Sequence, residues 1–127
     1  MKFIVSKEKI SEAVSKMGRL LTNKSSIAVL AGVLVEVRSD CILFTASDGT
    51  ESIFHRIPVE DGTELTIIEE GKSVFSKDAF DVTKKLKGNI TFEANPQRVS
   101  VSQEKLNLEF HVMDPDDYPP IAIAPTV

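Results

Sequence analysis

The chain has 127 residues, a length that suits one domain with a substantial core, and its composition of 42% hydrophobic and 27% charged residues is ordinary for a globular protein. No apolar run approaches the roughly 18 residues of a membrane-spanning helix, a secretory signal is missing, and the single Cys41 excludes an internal disulfide. The net charge of −4 argues against a uniformly basic surface. These features predict a cytoplasmic protein without a membrane segment.

The first predicted elements are a short strand over residues 2–5 and an amphipathic helix after it. Ser6 occupies the N-cap position, and the apolar residues that follow recur at intervals of three and four, with lysines on the opposite side. The apolar stripe comprises Ile10, Ala13, Val14, Met17, Leu20 and Leu21. The pattern predicts a helix from residue 7 that runs into the polar loop 22–26.

Three segments rich in β-branched and apolar residues come next, over residues 27–37, 41–46 and 50–59. Polar turns separate them. Along the third segment, Ile53, His55 and Ile57 alternate with Phe54 and Arg56, as expected for a strand with two different faces. The three segments therefore predict an antiparallel meander.

A second helix is predicted in the other half of the chain, from the N-cap residue Ser76 to residues 87–89. Its apolar stripe is Ala79, Val82, Thr83 and Leu86, with Phe80 at the flank. Short strands are predicted before it, over residues 65–68 and 72–75, and after it, over residues 90–94, 99–102 and 106–112.

The order of these elements lacks the βαβ alternation and Gly-rich first turn of a dinucleotide-binding fold. It predicts an α+β domain in which two helices pack on one face of a mostly antiparallel sheet. The domain is expected over residues 1–113. Residues 114–127 contain four prolines and no periodicity, so they are predicted to form a Pro-rich linker.

No motif for catalysis or metal binding is visible in the sequence. Cys41, His55 and His111 each stand alone in a predicted strand, and the acidic cluster at 114–117 lacks the ligand spacing of a calcium loop. The adjacent acids at 69–70 would point to opposite faces of a strand. The chain is therefore predicted to be a non-enzyme without metal or cofactor. The alternative is an active site whose residues meet only in three dimensions.

The charges are distributed unevenly along the chain. The helical segments 7–24 and 77–87 hold nine basic and four acidic residues, whereas the rest holds six basic and fifteen acidic residues. Base on the helices and acid elsewhere indicate one face for a polyanion, although solvated helix faces are often lysine-rich. Lysine contacts phosphate without reading sequence. The candidate DNA contacts on these helices are Lys7, Lys9, Lys16, Arg19, Lys84 and Lys85.

Several segments together resemble one known family. They are Met1-Lys2-Phe3 before a charged helix, residues 24–32 with a basic residue and a polar pair before an apolar strand, Asp48 after Thr45-Ala46-Ser47, helix residues 80–86, and the acidic exit 113–119 with its Tyr-Pro step. Over nearly its whole length the chain is similar to the first domain of the bacterial sliding clamp, the β subunit of DNA polymerase III.

This resemblance implies a function. In the family, three such domains form a subunit, and two subunits close head to tail into a ring around duplex DNA, with helices lining the hole. The expected partners are double-stranded DNA without sequence preference, a second clamp subunit in a homodimer, and the replicative polymerase and clamp loader through domains that this chain lacks. By position, Lys24 falls on the basic residue that approaches the phosphates. The edge that meets the neighbouring subunit maps onto Phe80, Val82, Lys84, Leu108 and Phe110.

The sequence departs from the family pattern in two places. Ala28 stands where many relatives have proline, and residues 104–109 lack the arginines that some relatives carry near the last hairpin. Two alternatives stay open, a fragment of a longer clamp and a natural one-domain relative. A domain of the same fold that binds a protein partner through Leu108, Phe110 and its acidic strands is the rival interpretation.

Overall fold

The computed structural model describes residues 1–20, 32–47, 51–60 and 65–118, apart from the side chain of Arg19. The first helix, α1, spans Lys7–Met17 and continues as a 3-10 turn over Gly18–Leu20. As predicted, Ser6 caps it, since its side-chain oxygen accepts a hydrogen bond from the backbone nitrogen of Lys9 at 3.3 Å. Leu21 of the predicted helix and the predicted polar loop that contains Lys24 lie outside the described residues.

The described residues form nine strands, and each lies close to one of the nine strands that the sequence predicts. Their hydrogen-bonded order is β4-β3-β2-β6-β9-β8-β7-β1-β5, and all the pairings are antiparallel. The strands are β1 Lys2–Ser6, β2 Gly32–Val37, β3 Cys41–Ser47, β4 Ser52–Pro58, β5 Leu65–Glu69, β6 Gly71–Ser76, β7 Asn89–Ala94, β8 Arg98–Gln103 and β9 Leu106–Met113. The predicted beginning of β2 and the turn that contains Asp48 lie outside the described residues.

The order of elements along the chain contains the same unit twice. In each unit a strand leads into a helix, and a three-stranded meander follows: β1, α1 and β2 to β4 in the first, and β6, the second helix and β7 to β9 in the second. The leading strand of each unit pairs with the first meander strand of the other, β1 with β7 and β6 with β2. Strand β5 adds to the free edge of β1.

Both halves of the sheet pack on the helices. Helix α1 contacts β1 as well as β3 and β4, although these strands lie far apart in the sheet. The sheet must therefore curve around the helices and enclose one core. Phe80 of the second helix lies at its centre, with ring centroids 6.1 Å from Phe44, 5.8 Å from Phe75 and 6.2 Å from Phe92. The predicted α+β domain with two helices against an antiparallel sheet is confirmed.

The second helix, α2, is shorter than predicted. It spans only Lys77–Asp81 and gives way to a 3-10 turn over Val82–Lys85. Val82 and Thr83 are β-branched and favour a regular α-helix poorly. The Thr83 hydroxyl donates a buried hydrogen bond to the carbonyl oxygen of Phe80 at 2.6 Å, which satisfies a helix-end acceptor locally.

Residues 114–118 belong to the folded domain, so the predicted linker does not begin at residue 114. Asp114 caps a 3-10 turn over Pro115–Asp117 by accepting from the backbone nitrogen of Asp116 at 2.9 Å. Tyr118 is buried and packs with Val74. Its hydroxyl lies 3.4 Å from the carbonyl oxygen of Thr45. The segment therefore folds back across the sheet toward β3.

The burial of Tyr118 predicts a stability change at high pH. Burial raises the pKa of Tyr118 to about 12, whereas a phenol in the unfolded chain titrates near pH 10. The raised pKa favours the protonated folded state, so its contribution is fully present below pH 10 and is lost as the pH rises from about 10 through 12. We expect the unfolding free energy of the wild type to fall over this range relative to that of Tyr118→Phe, measured by urea denaturation.

The comparison with the variant is needed because burial also raises the pKa of the Cys41 thiol, which titrates in both proteins. Parallel pH profiles for the wild type and Tyr118→Phe would show that Tyr118 does not contribute to the alkaline transition.

Candidate nucleic-acid interface

The candidate DNA contacts that the structure describes lie on the helical side of the domain. The side chains of Lys16, Lys84 and Lys85 are exposed, and that of Lys9 is half-buried. Lys24 and the side chain of Arg19 lie outside the described part of the chain. The exposed lysines of α1 and of the segment after α2 therefore belong to one side of the molecule.

Lys7 has a structural contact that the sequence did not predict. Its Nζ atom donates a hydrogen bond to the carbonyl oxygen of Lys84 at 3.1 Å. The contact joins the beginning of α1 to the 3-10 turn that follows α2, so the two helices lie side by side. Lys7 is half-buried in this position. Its charge contributes to the helical face, but one of its three donors is already used within the domain.

The opposite side of the sheet carries acids, and four of its basic residues are paired with them. Within the described residues Lys72 lies 3.7 Å from Glu36, Lys2 lies 3.9 Å from Glu93, and Arg98 lies 3.8 Å from Glu109. Arg38 also bonds Glu36, at 2.6 Å. Surface pairs of this kind stabilise little, but they neutralise the cations of that face.

The lysines of the helical side are less neutralised. Among them Lys84 has one carboxylate nearby, with its Nζ 3.8 Å from Asp81. Lys16, Lys77 and Lys85 form no ion pair with any residue that the structure describes. Among the described residues, the helical side is thus a basic face with few ion pairs, although the acids Glu8, Glu12 and Asp78 are also exposed on the helices.

His55 lies beneath the basic face rather than on it. It is a half-buried residue of β4, and burial, followed by the charge of Lys16, lowers its pKa. It is therefore neutral at neutral pH and adds no charge there. His111 is an exposed residue of β9, and Cys41 is a buried residue of β3. In the described ranges no three His, Cys, Asp or Glu side chains are placed to hold a metal ion together.

Within the described residues, strand β9 has one edge without a strand partner along most of its length. It pairs with β8 over Leu106 to His111 on one side, but on the other side β6 reaches only Val112 and Met113. Leu106, Leu108 and Phe110 lie on the same face of the strand. Their exposure falls along the strand, from Leu106 at 42% to half-buried Phe110, which packs against the main core.

The residues assigned to a subunit contact differ in accessibility. Lys84 is exposed, Leu108 is half-buried at the free edge, and Val82 is half-buried against the core. Phe80 is completely buried. Its side chain has no surface to present to a neighbouring subunit, so the assignment of Phe80 to the contact is wrong. The aromatic ring belongs to the core because the short α2 turns it toward Phe44 and Phe92.

Lys77 is a basic residue that was not among the predicted DNA contacts. It follows the N-cap residue Ser76 and, together with residues of α1, lines an open cleft between the two helices. Its charge was visible in the sequence. Its position opposite α1 was not, because it depends on how the two helices meet.

None of the helices in the described ranges has the length and apolar character that a bilayer crossing requires.

Comparison with known proteins gives one consistent family. Residues 1–122 match the family described as DNA polymerase III beta subunit, N-terminal domain. The beta sliding clamp of Bacillus subtilis is 28% identical over 124 residues, which cover 94% of this chain and 33% of the relative. The Staphylococcus epidermidis beta sliding clamp is 25% identical over 124 residues, with the same coverage.

Solved structures agree with the sequence comparison. The crystal structure of the Bacillus subtilis sliding clamp superposes with a TM-score of 0.91 at 27% identity, over 97% of this chain and 34% of that chain. The Streptococcus pyogenes beta subunit shares the fold, with a TM-score of 0.88 at 23% identity over 100% of this chain and 34% of that chain. The chain thus spans about a third of the length of these relatives. The chain belongs to the family of the DNA polymerase III beta subunit, N-terminal domain.

Proposed function

We propose that the chain is one domain of a DNA polymerase processivity factor, a ring-shaped sliding clamp that encircles duplex DNA and tethers the replicative polymerase. Its role is to hold DNA mechanically, so it needs no catalytic residue, metal or cofactor. It acts in the cytoplasm, where the chromosome is. The family membership supports this proposal, and the observation that carries its DNA-binding part is that the exposed lysines Lys16 and Lys85 have no ion pair with a described residue.

The DNA contacts in this proposal are Lys7, Lys9, Lys16, Arg19, Lys24, Lys84 and Lys85. Lysines without carboxylate partners can exchange their counterions for phosphates, and this exchange is the main source of binding without sequence preference. The paired acids on the outside of the sheet repel DNA and leave the helical face as the favoured contact.

The second proposed partner is another subunit, which pairs head to tail in a homodimer. The free outer edge of β9 supports this part of the proposal, because unpaired strand edges with apolar side chains invite pairing with another chain. Leu108 and Phe110, with Val82 and Lys84 beside them, form the proposed contact. The replicative polymerase and the clamp loader bind to domains beyond this chain.

A binding measurement tests the DNA contact. We expect the chain to bind fluorescent duplex DNA weakly, with equal affinity for two unrelated sequences, because phosphates are the same in both. The logarithm of the binding constant should fall with the logarithm of salt concentration by about 0.9 for each phosphate contacted. Anisotropy titrations between low and physiological salt measure this slope.

The rival function, a protein-binding module of the same fold, predicts a different result. In that case the chain would show no salt-dependent binding to duplex DNA at any salt concentration. Tight binding to one sequence over the other would also contradict the proposal, since the lysine face offers no contact that reads bases.

A further inference from the structure

The cleft between α1 and the α2 segment has the form of a preformed binding site. Its volume is about 390 Å³. Ser11 and Ser15 of α1 form one side, and Lys77 and Lys84 form the other. Buried Phe80 contributes to its floor. The lining therefore includes two lysines and two serines around a space that is large enough for a small anion and open to solvent.

Contacts within the domain fix the width of the cleft. The hydrogen bond from Lys7 Nζ to the carbonyl oxygen of Lys84 holds the 3-10 turn against α1. The buried hydrogen bond from Thr83 to Phe80 holds the same turn from inside. A ligand that enters the cleft meets donors whose backbone is already in place, so little ordering opposes its binding.

The charges of the cleft favour an anion. Asp81 also lines it and lies 3.8 Å from Lys84, which reduces the charge of that lysine. Lys77 has no such partner among the described residues and is the stronger attraction. Two ammonium groups, two hydroxyl groups and one carboxylate leave one net positive charge. A phosphodiester carries one negative charge and accepts hydrogen bonds from both kinds of donor.

We propose that this cleft holds a backbone phosphate of duplex DNA, with Lys77 as its main contact and Ser11 and Ser15 as neutral donors. The inference rests on the proposed function and makes it more specific. Lysines spread over a helical face give a diffuse attraction, whereas a cleft gives one phosphate at a time a defined contact between α1 and α2. Lys7 acts as a positioning residue because it holds the far wall in place.

Gly18 lies at the rim of the cleft, so a neutral substitution there tests the cleft without changing any charge. It has helical backbone angles, and among the described residues, apart from its chain neighbours and its own helix backbone, no atom lies within 4 Å of a Cβ added there. Gly18→Gln should therefore fold normally and place a neutral side chain at the cleft, while Gly18→Ala is the control that is too small to fill it. Thermal unfolding followed by circular dichroism verifies that both variants fold.

A second pair of variants separates the cleft from the charge of the face. Lys77→Gln and Lys85→Gln remove the same charge from the same segment, but only Lys77 lines the cleft. We expect Lys77→Gln to weaken duplex binding about tenfold at low salt and to reduce the salt slope by about 0.9, the value for one phosphate. Lys85→Gln should have a smaller effect on both quantities. Gly18→Gln should weaken binding in the same way as Lys77→Gln.

The outcomes separate the inference from the function on which it rests. If the unaltered chain does not bind duplex DNA, both are overturned. If it binds, but Gly18→Gln binds like Gly18→Ala and Lys77→Gln like Lys85→Gln, the attraction is diffuse and the cleft inference alone is wrong. If the cleft variants lose binding to polyglutamate but keep binding to DNA, the cleft is a site for an acidic peptide, which also overturns the inference.

Discussion

If the free edge of β9 forms the proposed subunit contact, replacing Glu109 with proline is expected to prevent assembly of the full-length protein while the domain stays folded. The direction of the backbone groups of β9 is the reason. The backbone nitrogen of Val112 donates to the carbonyl oxygen of Gln97 at 3.3 Å, so even-numbered residues of the strand direct their N–H groups toward β8. Glu109 therefore directs its N–H to the free edge. Proline removes that donor without breaking a bond to β8.

The matched control is Glu109→Ala, which also loses the exposed ion pair with Arg98 but keeps the N–H group. Sedimentation velocity on the full-length protein should find monomers for the proline variant and unchanged dimers for the alanine variant. Dimers in both would mean that another edge of the domain carries the contact. Phe110 is a less suitable position for this test because it packs against the core, and a charge there would also destabilise the fold.

Phe80→Ala is expected to cost about 3–5 kcal/mol of unfolding free energy, which is the range for removal of a buried aromatic ring. The ring contacts Phe44, Phe75 and Phe92, which come from both halves of the sheet. Its loss leaves a cavity where the halves meet. Because many domains are stable by only about 5–15 kcal/mol, most of the stability would be lost. Urea denaturation followed by circular dichroism measures the change.

Val82→Ala is the control for this experiment, because Val82 is only half-buried and lies two residues further along the chain. We expect its effect to be clearly smaller than that of Phe80→Ala. Equal losses of unfolding free energy in the two variants would contradict the central core position of Phe80. A stable Phe80→Ala chain with impaired assembly would show that Phe80 belongs to the subunit contact after all.

The features that depend on local pattern could be predicted from the sequence. The cap follows from the residue type of Ser6 at the start of the helical pattern, and the apolar stripe of α1 follows from apolar residues at intervals of three and four. The two faces of β4 follow from the alternation of its residues along the strand. The basic face was predictable for the same reason, since lysines opposite an apolar stripe must face away from the core.

The features that depend on contacts distant in sequence could not be predicted. The bond between Lys7 and Lys84 joins residues 77 positions apart. The burial of Tyr118 depends on a surface formed by β3 and β6, and a Pro-rich composition gives no sign of it. Phe80 was assigned to the subunit contact by its position in the family resemblance, and position along the chain does not show that its ring meets Phe44 and Phe92 in the core.

The exchange of leading strands between the two repeated units ties the two halves of the chain to each other during folding. Within the described residues, β1 finds its only strand partners, β5 and β7, in the second half, and β6 depends on β2 of the first half for most of its pairing. The first half alone would therefore hold a complete meander and an unpaired β1, and the second half a complete meander, an unpaired β5 and a β6 that keeps only its short contact with β9. Ladders between distant segments close late and slowly, because a long loop must be ordered first. The domain is thus a single cooperative unit despite its internal repetition, and a ribosome must release nearly all of it before either half is stable.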